Sequence, residues 1–481
     1  MGCPGALAGQ HGACLRHLSE VEWGQYLAEL GPGGELDLRG TEMDEPLLAS
    51  VLRRFREGEG APVVGRARCA RTVFAGHAGF YGTVFAGDAD FTGAVFEGEA
   101  NFRRVSFGGV SFKGAVFRVG ARFDRAVFRL PEAPLSRAAR FDEAEFRGVA
   151  VFERALFPLA EPLQEPTFHG VVFHDEARFR GAVSHGGLSF ARASFEGTTL
   201  LGPLLCASHL SLTAAHFAGP VVIEVVTREV TLNEARFEQP AVIAVRYGAV
   251  RLDRAVLLHP CMITTFTRVG GTRESRRAEE ALAREHGPDP TVAVTSLRGV
   301  DAAMLLLADV DLTGCVFAGA HHLDGIRLEG GWRLGSAPGG VRWSRGVPRW
   351  SAKRQVIAEE REWRAAPGRR RASRHDWGPE PRDPAAVPGL ATLTSTYRQL
   401  REAREDAKDE PGAADFYYGE MEMRRYGRGW GHAERWLLQA YWALSGYGLR
   451  ASRALGWLVG AMLVTAVLML AFGLPDTPAC P

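Results

Sequence analysis

Net charge and cysteine are both scarce in this sequence. Its 481 residues carry a formal net charge of +1, so no overall electrostatic field favours nucleic acid or a basic partner. The seven cysteines are scattered and none belongs to a C-x-x-C pair, which argues against a disulfide framework and against a zinc site. We expect reduced thiols in the cytosol. The first ten residues lack a basic region followed by an apolar one, so no secretory signal is predicted.

Catalytic and cofactor-binding motifs are also lacking. The sequence contains no G-x-S-x-G, no G-x-x-x-x-G-K-[ST] and no H-E-x-x-H motif. The adjacent His321 and His322 would point to opposite faces of an extended segment and have no neighbouring ligands, so a paired metal site is not expected. We therefore predict no catalytic residue, no cofactor and no metal site, and we predict that the protein is not an enzyme.

Phenylalanine, in contrast, is abundant and unevenly placed. Of the 27 phenylalanines, 22 lie between Phe74 and Phe237. Over most of this stretch they follow one another in steps of five or six residues. An alanine very often stands two residues earlier, as Ala100 stands before Phe102.

A period of five fits neither an α-helix, with a period of 3.6, nor a β-strand, with a period of 2. It fits a chain that turns a corner every five residues, so that four corners close a square of about 20 residues and the squares stack about 4.8 Å apart. Phenylalanine and alanine would then point inward and charged residues outward. Glycines such as Gly87 and Gly98 would suit the corners. A β-sandwich is the alternative, but "VSFKG" at 110–114 shows too little alternation for it.

The segments "ADFTGAVFEGEANF" and "ARFDRAVF" resemble the pentapeptide-repeat family, in a variant centred on phenylalanine instead of leucine. The resemblance implies a mainly β fold, a right-handed quadrilateral β-helix of roughly nine or ten coils. The implied structural core ladder comprises Phe85, Phe91, Phe96, Phe102, Phe107, Phe112, Phe117, Phe123, Phe128, Phe141, Phe146 and Phe152.

Composition changes along the chain predict seven segments. They are an N-terminal helical cap (1–62), the pentapeptide-repeat β-helix (63–262), a charged insertion (263–298), the last repeat coils (299–333), a helix followed by a Pro/Arg-rich linker (334–390), a helical hairpin (391–430), and an interfacial segment with a transmembrane helix (431–481). Helical spacing is predicted over 349–365. Arg369–Arg371 and Ser373 are expected to lie in a solvated, flexible linker.

One hydrophobic run is long enough to cross a membrane. Leu455–Leu474 contains 20 residues without a charge, which spans a hydrocarbon core of about 30 Å. Arg450 and Arg453 precede the run and only Asp476 follows it, so the positive-inside rule places the repeat domain in the cytoplasm and Pro481 outside. Trp457 suits the membrane interface. The uncharged segment 436–449 is too short to span and is predicted to lie along the membrane surface.

These features predict a membrane-tethered cytoplasmic scaffold for protein–protein interaction. The expected partners are membrane lipid and an unidentified protein, with no nucleic acid, and the oligomeric state stays open. The chain is similar over nearly its whole length to membrane-anchored pentapeptide-repeat proteins of actinobacterial type, some of which are labelled membrane-associated oxidoreductases. A channel-like or oxidoreductase-type membrane subunit is therefore one alternative. A gyrase-binding DNA mimic is another, but residues 63–260 hold 22 Lys/Arg against 20 Asp/Glu, whereas a mimic needs an acidic surface.

Overall fold

The computed structural model divides the chain into two compact units. The first contains 1–315, 319–321 and 326–333, and the second contains 316–318, 322–325 and 334–481. The structure describes residues 5–6, 12–128, 138–158, 165–266, 273–286, 289–344, 347–351, 353–366, 377–381, 383–429 and 431–473. Of the residues singled out in the sequence, Arg369–Arg371, Ser373, Asp476 and Pro481 lie outside these ranges.

The first unit is a β-solenoid of about 11 turns, which confirms the predicted fold class. In the coil that starts at Val84, the chain passes a first wall at 84–85, a second at 89–90, a third at 95–96 and a fourth at 100–101. Each wall pairs in parallel with the same wall of the next coil. The solenoid has slightly more turns than the sequence predicted, because coils begin at Leu36 and continue to Arg333.

Four sheets make up these walls. The third wall consists of Glu42–Met43, Val73–Phe74, Val95–Phe96, Val116–Phe117, Glu145–Phe146, Val172–Phe173, Ser194–Phe195, His216–Phe217, Arg236–Phe237 and Val256–Leu257. The fourth wall consists of Ala78–Gly79, Ala100–Asn101, Ala121–Arg122, Ala150–Val151 and Ala177–Arg178. The later part of the second wall consists of Leu188–Ser189, His209–Ser211, Glu229–Thr231, Ala249–Arg251, Val292–Ser296 and Val310–Asp311.

The fourteen-stranded sheet contains the first wall and turns a corner wherever a strand is long. Its strands are Leu36–Asp37, Val63–Val64, Ala67–Arg68, Val84–Asp90, Ser106–Ser111, Val127–Phe128, Leu156–Phe157, Val183–Ser184, Leu200–Cys206, Val221–Val226, Ala241–Arg246, Cys261–Thr265, Leu305–Ala308 and Arg327–Glu329.

In the coils from Phe74 to Phe157 the core consists of four columns of stacked phenylalanine rings, and in later coils Leu, Ile and Val take most of these positions. Each ring lies nearly parallel to the equivalent ring of the next coil, as for Phe96 and Phe117, whose centroids are 4.6 Å apart with planes at 3°. Rings of adjacent walls meet edge to face, as for Phe96 and Phe102 at 81°. Offset stacks and T-shaped contacts are both favourable arrangements of aromatic quadrupoles, so a single residue type satisfies both directions of packing.

Two of the corners hold a residue with left-handed backbone two positions after the core residue. Gly82 (φ 69°), Gly93 (φ 64°) and Gly114 (φ 61°) are examples. Gly87 and Gly98 lie between successive walls, at corners as predicted, but neither has a positive φ. At Gly98 a Cβ atom would lie 2.6 Å from the carbonyl oxygen of Gly76 in the neighbouring coil, so that glycine permits close stacking.

Two helices precede the full coils. Helix α1, Glu20–Glu29, begins with a capping box between Ser19 and Glu22. Helix α2, Glu45–Arg54, begins at Asp44, whose side chain accepts a hydrogen bond from the Leu47 N–H. Helix α2 packs against Ala78–Gly79, the first strand of the fourth wall, and buries Leu48, Val51 and Leu52. It therefore protects the edge of that wall.

Helix α3, Arg273–His286, lies within the predicted charged insertion. It is not a fully exposed loop, because Leu282 is 1% exposed and packs against apolar residues of the coils, among them Leu205, Val226 and Tyr247. The Arg246 guanidinium and the Glu279 carboxylate form an ion pair at 3.1 Å beside this cluster. The strands Cys261–Thr265 and Val292–Ser296 on either side belong to the solenoid.

The second unit contains two small hairpins and five helices in the part that the structure describes. Gly335–Ser336 pairs with Gln355–Val356, and Gly340–Ser344 pairs with Val347–Ser351, both antiparallel. The helices are α4 (Ala358–Ala365), α5 (Leu390–Asp406), α6 (Glu410–Gly427), α7 (Ala433–Ser445) and α8 (Ala451–Phe472). The helix predicted over 349–365 was wrong in its first half, because residues 347–351 and 355–356 pair as strands.

Helices α5 and α6 form the predicted hairpin. Asp409 caps α6 by accepting a hydrogen bond from the Gly412 N–H, with Pro411 in the first turn. The two helices approach closely at Gly419, where a Cβ atom would lie 2.5 Å from a ring carbon of Tyr397. Tyr397 is fully buried as a result.

Candidate functional site

The predicted phenylalanine ladder lies in the core of the solenoid. Phe85 through Phe123 are at most 1% exposed, and Phe128 is 5% exposed. Phe141, Phe146 and Phe152 are equally buried. A partner could therefore contact only the side chains that point out of the walls.

The outer face of the fourth wall carries a shallow polar groove of about 570 Å³. Its rim includes Arg103 and Arg122, which form ion pairs with the Asp124 carboxylate at 2.5 and 3.2 Å. Its floor includes Gly120 and Val151. The small floor residues let the arginine side chains stand above the sheet.

The outer face of the third wall carries a ladder of mixed charge. The His174 ring bonds to the Glu196 carboxylate at 2.8 Å and to the Glu145 carboxylate at 3.1 Å. The hydrogen bond to Glu196 raises the pKa of His174, and Glu145 adds to that effect although burial opposes it. The Arg147 guanidinium likewise holds the pKa of Glu145 below its ordinary value. Opposite charges on this wall pair locally, as Arg118 pairs with Glu97 at 3.1 Å and Arg236 with Glu238 at 3.0 Å.

The predicted membrane-flanking residues lie at the junction of α7 and α8. The Arg453 guanidinium donates a hydrogen bond to the Trp442 carbonyl at 3.0 Å, and the Trp457 indole N–H donates one to the Ala443 carbonyl at 3.1 Å. The Arg450 guanidinium lies 5.8 Å from the centre of the Tyr418 ring. These contacts connect the start of α8 to α7 and α6.

Helix α7 has one packed side and one open side. Leu438 is 7% exposed and packs with Met421 and Tyr447. On the other side, Trp436 is 58% and Leu437 is 68% exposed. Large apolar side chains in a row are typical of a helix that lies in a membrane interface.

After Arg453 in its first turn, helix α8 carries no charge on any side. Its 22 residues are long enough to cross a bilayer, and none of them is buried. Exposed large residues include Leu455, Leu463, Leu470 and Phe472. By length and composition, α8 is a candidate membrane span.

A buried chain of ion pairs holds the second unit together. The Glu360 carboxylate is completely buried and accepts from the Arg354 guanidinium at 2.5 Å, from the Arg364 guanidinium at 2.7 Å, and from the Tyr397 hydroxyl. Burial alone would raise the pKa of Glu360, but Arg354 and Arg364 outweigh it and lower the pKa to about 2.

The same chain continues to α6. The Arg364 guanidinium also reaches the Glu422 carboxylate at 3.1 Å, and Glu422 accepts from the Arg425 guanidinium at 2.7 Å and from the Tyr447 hydroxyl at 3.2 Å. The chain thus connects α4, α5, α6 and the turn after α7. Removing one partner of a buried ion pair strongly destabilises a protein, because the other charge is left buried and unpaired. Since these side chains are buried, we assign them a structural role.

Glu359 is a second buried carboxylate, at the start of α4. One of its oxygens accepts from the backbone N–H groups of Phe317 at 2.5 Å and Ala318 at 2.8 Å. Burial raises the pKa of Glu359 to about 7, because the backbone donors offset the desolvation only in part.

Groups for catalysis are not brought together in the part of the chain that the structure describes. No cluster of three or more His, Cys, Asp or Glu residues there could hold a metal ion. The described cysteines are all free and buried, and burial raises the pKa of Cys206 and Cys261 to about 12. A thiol in that state is a poor nucleophile.

Sequence reasoning missed the buried ion-pair chain and the arginines around the groove. The segment "AEEREWR" shows charges at helical spacing, which ordinarily indicates a solvated face. The arginines of the groove lie at fixed offsets from the core phenylalanines, as Arg103 follows Phe102 and Arg122 precedes Phe123. Assigning each residue to a wall would have revealed them.

A comparison with family models agrees with the geometry of the coils. The model described as pentapeptide repeats (9 copies) matches residues 80–127. These residues lie in coils that have all four phenylalanine columns. No curated protein and no solved structure matches the chain.

Proposed function

Because residues 80–127 identify this chain as a pentapeptide-repeat protein, we propose that it is a membrane-tethered scaffold. In this proposal α8 anchors the protein, the solenoid lies in the cytoplasm, and the outer faces of its walls bind another protein. The protein acts by binding and not by catalysis. A solenoid suits this role because its stacked coils offer an extended, regular surface.

The observation that carries the proposal is that α8 is left unburied along its whole length. None of its 22 residues is buried, and transferring apolar surface from water is worth about 25 cal/mol per Å². Leaving side chains such as Leu463 and Phe472 in water would be costly. A bilayer removes this cost, and a span of this length matches a hydrocarbon core of about 30 Å.

A tether is tested by replacing the anchor. We expect the intact chain to sediment with membranes and to resist extraction by high salt or alkaline carbonate. A variant lacking 451–472 should be recovered in the soluble fraction. As a matched control, a variant with α8 replaced by an unrelated transmembrane helix of equal length should remain in the membrane. Persistence of the deletion variant in membranes after carbonate washing would contradict the tether.

The orientation is supported by the positive charges that precede α8. Arg450 and Arg453 lie at its start, and basic residues near a span favour the cytoplasmic side. Two cysteines serve as reporters, because Cys3 and Cys480 lie on opposite sides of α8 in the sequence and the described cysteines are buried. A membrane-impermeant maleimide applied to right-side-out vesicles should label Cys480 and spare Cys3. The Cys480→Ser variant provides the control, and labelling of Cys3 alone would reverse the orientation.

A further inference from the structure

Three arginines form a column along the corner that follows the fourth wall. Arg104, Arg125 and Arg154 occupy the same position in successive coils and are exposed. All three have left-handed backbone, with φ of 54°, 58° and 56°. The equivalent residues of the flanking coils are Gly82 and Gly181, also with positive φ.

The backbone conformation makes arginine an expensive choice at this corner. A residue with a Cβ atom is disfavoured in the left-handed region, whereas glycine adopts it freely. Strained residues persist where the surrounding structure holds them, and an observed outlier is a reason to look for function. The other corner holds Ala214 (φ 55°) and Glu143 (φ 58°) in the same conformation, so the distinctive feature of this column is three like charges in successive coils.

The other left-handed corner shows what a structural use of such residues looks like. There Arg254 (φ 59°) forms an ion pair with Glu234 (φ 59°), one coil away. In contrast, no carboxylate of the described residues lies within ion-pair distance of Arg104, Arg125 or Arg154. This corner therefore presents a row of three positive charges.

The groove on the fourth wall lies beside this column. Arg125 and Arg154 line both, and the groove floor is open at Gly120. A Cβ atom at Gly120 would come no closer than 3.5 Å to the backbone, the carbonyl oxygen of Val149 being the nearest atom. Close stacking therefore does not require glycine there, and its effect is to leave room above the sheet.

We propose that the column of Arg104, Arg125 and Arg154 binds an acidic stripe on an α-helix of a partner protein. Successive coils stack about 4.8 Å apart, so the column spans about 10 Å. A helix that presents carboxylates at i, i+4 and i+7 spaces them about 5 Å apart over about 10 Å. Each carboxylate then meets one arginine, and the guanidinium fork suits carboxylate oxygens.

A protein helix fits this surface better than a nucleic acid or an anionic lipid layer. Three carboxylates, from Glu99, Asp124 and Glu153, also line the groove. They would repel a continuous row of phosphates, whereas a helix can place acidic residues along the corner and neutral or basic ones over the groove. The inference rests on the proposed scaffold function and names its partner class.

The test measures binding of a designed peptide to the full-length protein in detergent micelles. The probe is an alanine-rich helical peptide of about 20 residues, a length at which an isolated helix forms, with glutamates repeated at i, i+4 and i+7. The comparison peptide has the same composition with its glutamates spread around the helix. We expect the striped peptide to bind at least about tenfold more tightly, and the Kd to rise with salt because exposed pairs are screened.

Two triple variants isolate the corner. Arg104→Gly/Arg125→Gly/Arg154→Gly should weaken binding of the striped peptide at least about tenfold, because three pairs are lost. Glycine suits left-handed backbone, so this variant should melt at the same temperature or higher. Arg71→Gly/Arg192→Gly/Arg254→Gly removes the same charge from the other left-handed corner and should leave the Kd unchanged.

A third variant tests the groove separately. Gly120→Glu places a carboxylate where Glu99 stands in the preceding coil and Glu176 stands two coils on, so the wall should tolerate it while the peptide binds less tightly. Three results would each overturn the proposal. The first is equal binding of the striped and scrambled peptides, and the second is an equal loss of binding in both triple variants. The third is tighter binding of duplex DNA or anionic vesicles than of the striped peptide. Failure in this assay leaves membrane fractionation unaffected, so it is distinguishable from failure of the tether.

Discussion

At the residue scale, the buried phenylalanine rings on the solenoid axis stabilise the fold. The ring of Phe112 stacks on Phe91 and Phe141, with centroids 4.9 and 5.1 Å away, and meets Phe102 and Phe123 edge to face. It is fully buried. Each ring therefore contributes packing both within its coil and between coils.

Truncating one ring should leave a cavity that the neighbouring coils cannot close. We expect Phe112→Ala to lower the free energy of unfolding by about 3–5 kcal/mol, as for buried aromatic residues in general. Phe112→Leu, which restores the leucine of the more usual repeat, should cost less. Denaturant titration followed by circular dichroism measures both, with the exposed neighbour substitution Lys113→Ala, expected within about 0.5 kcal/mol, as the control. A loss from Phe112→Ala as small as that control would contradict the axial role.

His174 predicts a pH dependence of the third wall. Its bonds to Glu196 and Glu145 raise its pKa in the folded state, so their stabilisation is fully present below the unfolded pKa of about 6.5. It is lost as pH rises through the higher folded pKa. The melting temperature should therefore fall over that interval, and His174→Asn should flatten the slope. An unchanged slope in the variant would assign the titration to another group.

At the element scale, α4 depends on two adjacent glutamates that have opposite environments. Glu360 is surrounded by Arg354, Arg364 and Tyr397, whereas Glu359 bonds to backbone N–H groups of Phe317 and Ala318. Removing the charge of Glu360 should leave two buried guanidiniums without their carboxylate. We expect Glu360→Gln to cost about 3–5 kcal/mol, while Glu362→Gln, on the exposed side of the same helix, should be nearly neutral. Thermal unfolding of both variants compares them directly.

Glu359 gives α4 a different dependence on pH. Burial raises its folded pKa to about 7, so the folded state holds a proton that the unfolded state has already released above about 4.3. Stability therefore falls as pH rises from that value through 7, by about 4 kcal/mol if the whole difference is expressed. Glu359→Gln keeps an oxygen for both backbone donors and should remove this dependence. Hydrogen exchange of the α4 amides at pH 5 and pH 8 reports the local stability of α4. It therefore separates the pH dependence caused by Glu359 from that caused by His174.

The sequence predicted those elements whose pattern repeats and missed those that depend on distant partners. The phenylalanine steps were sufficient to predict four walls and the direction of each ladder residue. The start of α4 at Ala358 was not predictable, because residues 347–351 are strand only when 340–344 pair with them. Glu360 looks like a surface charge until Arg354 and Tyr397 are seen around it. The arginines with left-handed backbone were not predicted, because exposed turn positions do not take part in the apolar periodicity from which the walls were predicted.

At the scale of the whole molecule, the two units divide the properties that the proposed function needs. Residues 63–260 carry balanced charge, and one corner of the solenoid presents the row of Arg104, Arg125 and Arg154. The second unit contains the exposed apolar sides of α7 and α8, and the arginines that precede the candidate span. A scaffold needs both a recognition surface and a fixed location, and the sequence places them in separate parts of the chain.

The proposed orientation depends on few charges and should be reversible. Basic residues within about 15–20 positions of a span set its orientation, and the nearest ones are Arg450, just before α8, and Arg453, in its first turn. We expect Arg450→Gln/Arg453→Gln, combined with lysines inserted after Phe472, to give a mixed population in right-side-out vesicles. Labelling of Cys480 by an impermeant maleimide should fall and labelling of Cys3 should appear. The same lysines with Arg450 and Arg453 retained should shift the ratio less, because these two arginines continue to favour the cytoplasmic side. Unchanged labelling in both variants would mean that the folded domain, and not the flanking charge, determines which side it occupies.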